Sequence, residues 1–331
     1  MTNIRYIDLF AGIGGFHQAM DSYGAQCVFA SEWDQACQET YAENYGIKPH
    51  GDITKIDAKN IPEHDIICAG FPCQAFSISG KQKGFEDSRG TLFFDVARIA
   101  KHHQPKMLLL ENVRNFEKHD NGNTLRIVTS TLEEIGYTFF SQVLNASYFG
   151  VPQKRERIFM VAFRKDLDIH DFAFPRGSND TKPLTDFLDT NQDNNHLIIH
   201  RDDILLKETT TVVPDMFGNY PLKPVRIGTV NKGGQGERIY SPHGHAITLS
   251  AYGGGIGAKT GLYLIDGKIR RLSPAECRRI TGFPDDFKLH QKPNVCYRQF
   301  GNSVVVNVLQ AILQQVIEQK YLARTIEKEA S

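Results

Sequence analysis

The chain has 331 residues, 40% of them hydrophobic and 23% charged, and its 38 basic and 38 acidic side chains cancel. This is an ordinary globular profile, enough for one large domain or two unequal ones. A polyanion binder with no net charge must concentrate its positive charge locally. No apolar run approaches the ~18 residues of a membrane span, and Met1-Thr2-Asn3-Ile4-Arg5 lacks a signal-peptide core. Six cysteines, at 27, 37, 68, 73, 277 and 296, form no Cys-x-x-Cys pair. The expectation is a cytoplasmic chain with reduced thiols and no structural metal.

Arg5 to Phe10 reads as a strand, Ala11-Gly12-Ile13-Gly14-Gly15-Phe16 as a glycine turn, and Gly15 to Tyr23 as a helix. Gln26 to Ser31 reads as a second strand, closed by Glu32-Trp33. This order is the nucleotide-binding half of a doubly wound sheet. Glycines let the backbone approach a ligand, and a carboxylate at Glu32 can accept both hydroxyls of a ribose. The spacing departs from the full dinucleotide fingerprint, so NAD, S-adenosylmethionine and a plain tight turn all remain open. Trp33, the only tryptophan, is either a platform for adenine or core. Residues 34–44 read as a helix. Asp52 either forms a turn or reaches an adenine amino group.

Asp65 to Ala69 reads as a short buried strand ending in the Gly70-Phe71-Pro72 turn. Cys73 follows, then an aperiodic polar segment from Gln74 to Arg89. A thiol at a strand tip beside a long loop fits a nucleophile under a lid; a structural cysteine is the alternative. Thr91 to His102 has helical spacing, and Lys106 to Leu110 is an apolar strand that stops at Glu111-Asn112-Val113. Functional groups gather at the carboxyl ends of parallel strands, so Cys73, Glu111 and Glu32 are expected at one crevice. A helix at 123–135 and a strand at 138–144 precede Gln153-Lys154-Arg155-Glu156-Arg157, which leads into a strand from Ile158 to Phe163. Arg155 and Arg157 share a face if both lie in that strand, as a solvated pair or as a clamp on a phosphate or base.

Residues 175–209 read as a linker. Residues 228–261 hold ten glycines, and Lys223 to Arg271 carry eight Lys/Arg against two acids. Short β-type runs at 238–240, 246–249 and 262–265 alternate with glycine loops. The pattern predicts a small basic β domain whose loops, with Gln235, Arg238, Ser250 and Tyr252, suit a polyanion; a flexible insert is the alternative. Ser273-Pro274 starts a helix, and Gly301-Asn302-Ser303 is expected to cap the apolar helix 304–317 through Asn302.

Six stretches carry a resemblance: residues 8–15, 70–74, 111–113, 153–157, 271–277 and 299–303. In this order they resemble the successive motifs of the DNA cytosine-5 methyltransferases, over nearly the whole chain. Residues 74–92 and 233–258 resemble members specific for GCGC. Departures from that pattern fall at 175–222, Pro242-His243-Gly244-His245 and Gly257. The resemblance implies a Rossmann-like, doubly wound mixed α/β sheet with a smaller β-rich target recognition domain. The implied borders are 1–188 for catalysis and cofactor, 189–272 for recognition, 273–301 for a hinge and 302–331 for a C-terminal helix.

It further implies S-adenosyl-L-methionine as methyl donor and S-adenosyl-L-homocysteine as product, held at Phe10, Gly12, Gly14, Glu32, Trp33, Asp52, Ile53, Pro72, Leu92 and Asn302. The implied catalytic set is Cys73 on carbon 6 of cytosine, Glu111 on ring nitrogen 3, and Arg157 on the base carbonyl, with Arg155 beside it. DNA contacts are implied for Ser79, Gln235, Arg238, Ser250 and Tyr252. The implied partner is double-stranded DNA with a flipped-out cytosine, with no membrane, a monomeric state, and a cognate restriction endonuclease as functional partner. Three rivals remain at this point: a silent DNA-binding relative, an RNA cytosine-5 methyltransferase, and an NAD-dependent oxidoreductase.

Overall fold

Residues 3–72, 92–180, 182–189 and 193–323 are described by a computed structural model. Two compact units emerge: Met1–Leu144 with Glu156–Pro175 and Leu309–Ser331, and Asn145–Arg155 with Arg176–Val308. The borders expected at 188, 272 and 301 are displaced, because 176–188 and 273–308 pack with the second unit.

The first unit is built on a six-stranded sheet. Its strands are β1 (Arg5–Leu9), β2 (Gln26–Ser31), β3 (Ile66–Ala69), β4 (Met107–Val113), β5 (Tyr137–Asn145) and β6 (Glu156–Arg164), in the order β2-β1-β3-β4-β6-β5. β1 to β4 run parallel and β6 runs antiparallel to β4. Ile66 to Ala69 and Met107 to Leu110 are wholly buried, as expected of strands covered on both faces. Helices α1 (Gly15–Asp21), α2 (Gln35–Tyr45), α3 (Leu92–His103) and α4 (Asn123–Glu134) supply that cover. α3 buries Phe93, Val96, Ala97 and Ala100, an i, i+3, i+4, i+7 stripe. α2 is capped by Asp34, which accepts from the Cys37 amide, and stops at Gly46 in the left-handed region. β4 does not stop at Glu111 as expected. Pairing with β6 carries it through Val113, because the antiparallel neighbour offers partners to the whole stretch.

The second unit has a five-stranded sheet of β7 (Ile204–Leu206), β8 (Arg226–Val230), β9 (Arg238–Tyr240), β10 (Leu262–Ile265) and β11 (Lys268–Arg270), in the order β11-β10-β9-β8-β7. Ile227, Val230, Ile239, Leu262 and Ile269 form its small core. β7 arises inside the expected linker. Ala246–Leu249 is not a strand: only Ala246 makes a bridge, to Gln153. The Gln153 side chain accepts from the Leu249 amide instead, doing there what a neighbouring strand would do.

Helix α5 (Pro274–Ile280) opens with a capping box between Ser273 and Glu276. Asn302 is the last residue of α6 (Pro293–Asn302), not the cap of the following helix, because α7 (Val306–Glu318) starts four residues later. By length and apolarity Pro293–Glu318 could span a bilayer, but most of its apolar window is buried, as in a core helix.

Candidate active site and recognition loops

The turn after β1 is shaped by backbone geometry. Gly12 and Gly14 take φ of 55° and 85°, and a Cβ at Gly14 would lie 2.2 Å from the Tyr45 ring. Phe10 also has φ of 55°, a conformation that costs a non-glycine residue about 1–2 kcal/mol. The Glu32 carboxylate holds this turn in place. One oxygen accepts from the Gly12 amide at 2.8 Å and the other from the Asp34 amide at 2.8 Å. Burial pushes the Glu32 carboxyl up, and these amides pull it part of the way back. Each oxygen keeps a lone pair for a ligand hydroxyl. Trp33 is 83% exposed, so it is not core.

Asp52 caps a short 3-10 turn, Ile53–Lys55. It accepts from the Thr54 hydroxyl and amide, which hold its carboxyl below the ordinary value. Ile53 is buried in the core, and its carbonyl accepts from Arg98. Leu92 is the half-buried first residue of α3.

The second cluster lies at the ends of β3, β4 and β6. Cys73 and Ser79 fall outside the described residues, but the turn leading to Cys73 is in view. Phe71 is buried against Phe93 and Phe116, and Pro72 is exposed. The Asn112 side-chain amide donates to the Phe71 carbonyl at 2.9 Å. Asn112 lies in the 111–113 stretch that carries the resemblance, but the sequence assigned it no role of its own; the clue was a polar residue closing an apolar strand. Arg157 Nε lies 3.0 Å from Glu111 Oε1, and both side chains are largely buried. A Cβ on Gly70 would sit 3.6 Å from Glu111 Oε2. Arg157 thus fixes one carboxylate oxygen while the other faces the turn that carries Cys73.

Arg155 does not stand beside Arg157 as a catalytic partner. It precedes β6 and is 2% exposed. Its guanidinium donates to Leu249 O at 3.1 Å, Gly301 O at 2.9 Å and Ser303 O at 2.7 Å. The expected shared face needs both arginines inside one strand, and the strand begins only at Glu156. Arg155 therefore braces the segment before Ser250 and the helix end that carries Asn302.

The glycine loops of the second unit interlock. Gly236 has φ of 83°, and a Cβ there would meet Gly254 O at 2.3 Å. The Gly257 amide donates to Gly236 O at 2.7 Å, and a Cβ at Gly257 would lie 2.9 Å from that oxygen. Glu237 pins the first loop by accepting from the Asn231 side chain and the Gly234 amide. The packed loops leave Gln235, Arg238 and Tyr252 exposed and Ser250 half-buried.

A profile of C-5 cytosine-specific DNA methylases matches residues 4–318. The chain belongs to that family. It is a DNA cytosine-5 methyltransferase, and DNA is its substrate. It is 55% identical over 318 residues to the type II methyltransferase M.HhaI of Haemophilus parahaemolyticus, covering 96% of this chain and 95% of that one. It is 41% identical to M.HpaII of Haemophilus parainfluenzae, covering 95% and 89%. Among solved structures, the Dnmt2 methyltransferase of S. pombe superposes with a TM-score of 0.72 at 21% identity, over 96% of this chain and 99% of that one. That likeness establishes the shared fold. The methylase turn Gly70–Pro72, latched by Asn112, and the ion pair beside it are thus features of a cytosine methyltransferase. Family membership also implies a methyl donor, and removes the oxidoreductase reading of the glycine turn.

Proposed function

We propose that this chain is the modification enzyme of a bacterial restriction system, acting in the cytoplasm as a monomer and methylating the inner cytosine of GCGC with S-adenosyl-L-methionine. The observation that carries the chemistry is the Arg157–Glu111 pair beside the turn leading to Cys73. Cytosine is too electron-poor at carbon 5 to accept a methyl group directly. The Cys73 thiolate forms a bond to carbon 6, and the ring electrons move towards carbon 5 and nitrogen 3. Glu111 holds nitrogen 3 and Arg157 the base carbonyl, stabilising the charge that develops. Carbon 5 takes the methyl group of S-adenosylmethionine held at the first turn, which leaves as S-adenosylhomocysteine. A base then takes the proton from carbon 5, and the sulfur–carbon bond breaks to release the methylated base and return Cys73 as its thiolate.

The residues of the first turn suit the donor. Glu32 has spare lone pairs for ribose hydroxyls, Trp33 offers an exposed aromatic face, and Gly12 leaves the backbone open to a ligand, while Gly14 makes room for the Tyr45 ring. When bound, S-adenosylmethionine supplies an electrophilic methyl group. Asp52, Pro72, Leu92 and Asn302 are assigned to the same ligand by their match to the family motifs. The target cytosine must leave the stack, at a cost of a few kcal/mol. Gln235 from the glycine loops and Ser79 are assigned to the gap it leaves, and Arg238 to guanine readout in the major groove. Ser250 and Tyr252 flank them.

The specificity rests on the likeness of 233–258 to GCGC-specific relatives, and within that stretch this chain departs from them at Pro242-His243-Gly244-His245 and at Gly257. Bisulfite sequencing of plasmid DNA from cells expressing the chain tests the reading. Protection of the inner cytosine at every GCGC is expected. Methylation of another motif would keep the chemistry and discard the target. Unmethylated plasmid would overturn the proposal.

A further inference from the structure

Asp8 is a charged residue type in the middle of a buried strand. It sits in β1 opposite Ala30 of β2 and Cys68 of β3. It is 0% exposed, and neither carboxyl oxygen completes a hydrogen bond. The His17 amide and Tyr41 hydroxyl approach it, but that hydroxyl is bonded to His17 Nδ1 at 2.7 Å. The titratable groups around it are Tyr6 of β1, His17 of α1, Cys27 of β2, Tyr41 and Tyr45 of α2, Cys68 of β3, and Glu32. Among the described residues, none of these groups is a cation at neutral pH. Burial raises the phenols and thiols, and lowers His17 to about 4. Among the described residues, the charge that acts on it is that of Glu32, which is negative and repels an Asp8 anion. An isolated carboxylate in such a place takes up a proton rather than bear the desolvation.

We propose that Asp8 is a positioning residue for the cofactor turn that follows β1: an uncharged carboxyl group that fills the buried space facing His17 of α1 and Tyr41 of α2 and keeps a second negative charge away from Glu32. Glu32 shapes that turn through Gly12 and Asp34. An anion at Asp8 would act against the one carboxylate the turn needs. The proposal rests on the reading that this turn takes S-adenosylmethionine.

The test is equilibrium binding of S-adenosyl-L-homocysteine, followed by fluorescence of the single tryptophan, Trp33, which is exposed beside Glu32. It is paired with infrared difference spectra of wild type against Asp8→Asn at pH 7. Asn keeps the shape and the neutrality. Asp8→Asn is expected to bind within about threefold of wild type, and Asp8→Ala, which empties the space, to lose about tenfold. The difference spectrum is expected to contain the carbonyl stretch of a protonated carboxyl group. A carboxylate band in its place, a tenfold loss in a folded Asp8→Asn protein, or wild-type binding by Asp8→Ala would each overturn the proposal. If Asp8→Ala fails to fold, the spectrum and the Asn variant still decide. Wild type that gives no binding signal would instead refute the cofactor reading, while the infrared band would report on Asp8 regardless.

Discussion

Arg157 has two jobs at the residue scale, and a substitution separates them. It anchors Glu111 in the free protein and is assigned to the base carbonyl during the reaction. Arg157→Ala removes a donor aimed at developing charge, which costs about 10²–10³ in rate. Single-turnover methyl transfer on saturating DNA is expected to fall by that order, with cofactor binding unchanged; an unchanged rate would remove Arg157 from the catalytic set. Arg155 makes the opposite prediction. Arg155→Met leaves three carbonyls without their buried donor, so unfolding of the second unit is expected to become easier by about 3 kcal/mol. Methyl transfer by the folded fraction is expected to hold within a few-fold. Denaturant melts alongside single-turnover rates separate the two arginines, which the sequence presented as a pair. Their divergence was illegible because side-chain direction depends on where the strand begins, and no residue between them marks that point.

Elements with a strong apolar period were readable. β2, α3 and the β3 run could be placed within a residue or two, because β3 is buried throughout, α3 carries a regular apolar stripe, and β2 is an apolar run closed by Glu32. The misreadings lie where something other than periodicity holds the chain. Ala246–Leu249 looks like a strand but is held by Gln153, and Asn302 looks like a cap but closes a helix whose buried residues continue to Gly301. The glycine-dense stretch was legible as loops, yet not the reason for its glycines, since contacts between backbones leave no mark in the residue types around them. That reason is testable. Gly236→Ala puts a methyl group against Gly254 O, so DNA binding should fall while S-adenosyl-L-homocysteine binding stays at the wild-type level. Filter binding against tryptophan fluorescence reads both; equal loss in both would mean the loops do not act on DNA alone. The cap of α5 is a simpler case: Ser273→Ala is expected to cost about 1 kcal/mol, read by thermal melting.

For the whole molecule, acid is the condition to which both units respond. His17 and His64 in the first unit and His245 in the second are buried and neutral, each lowered to about 4 by desolvation. The unfolded chain takes up these protons near the ordinary value of about 6.5. Their contribution is therefore complete above about pH 6.5 and is lost as pH falls towards 4, because the unfolded state binds more protons throughout that window. Each is worth at most on the order of 3 kcal/mol. Denaturant melts between pH 7 and 4.5 should show stability falling steadily, with a shallower slope in His64→Gln; a flat profile would mean these imidazoles ionise in place.

The interlocked loops have a consequence for descent. Since Gly236 and Gly257 fit only against a particular partner backbone, 233–237 and 253–257 form one heritable unit split across two places in the gene. A crossover that brings in one half from a cousin with another target delivers a key cut for the wrong lock. New targets in this lineage should arise by exchange of the whole stretch, and laboratory grafts should succeed only when both halves travel together.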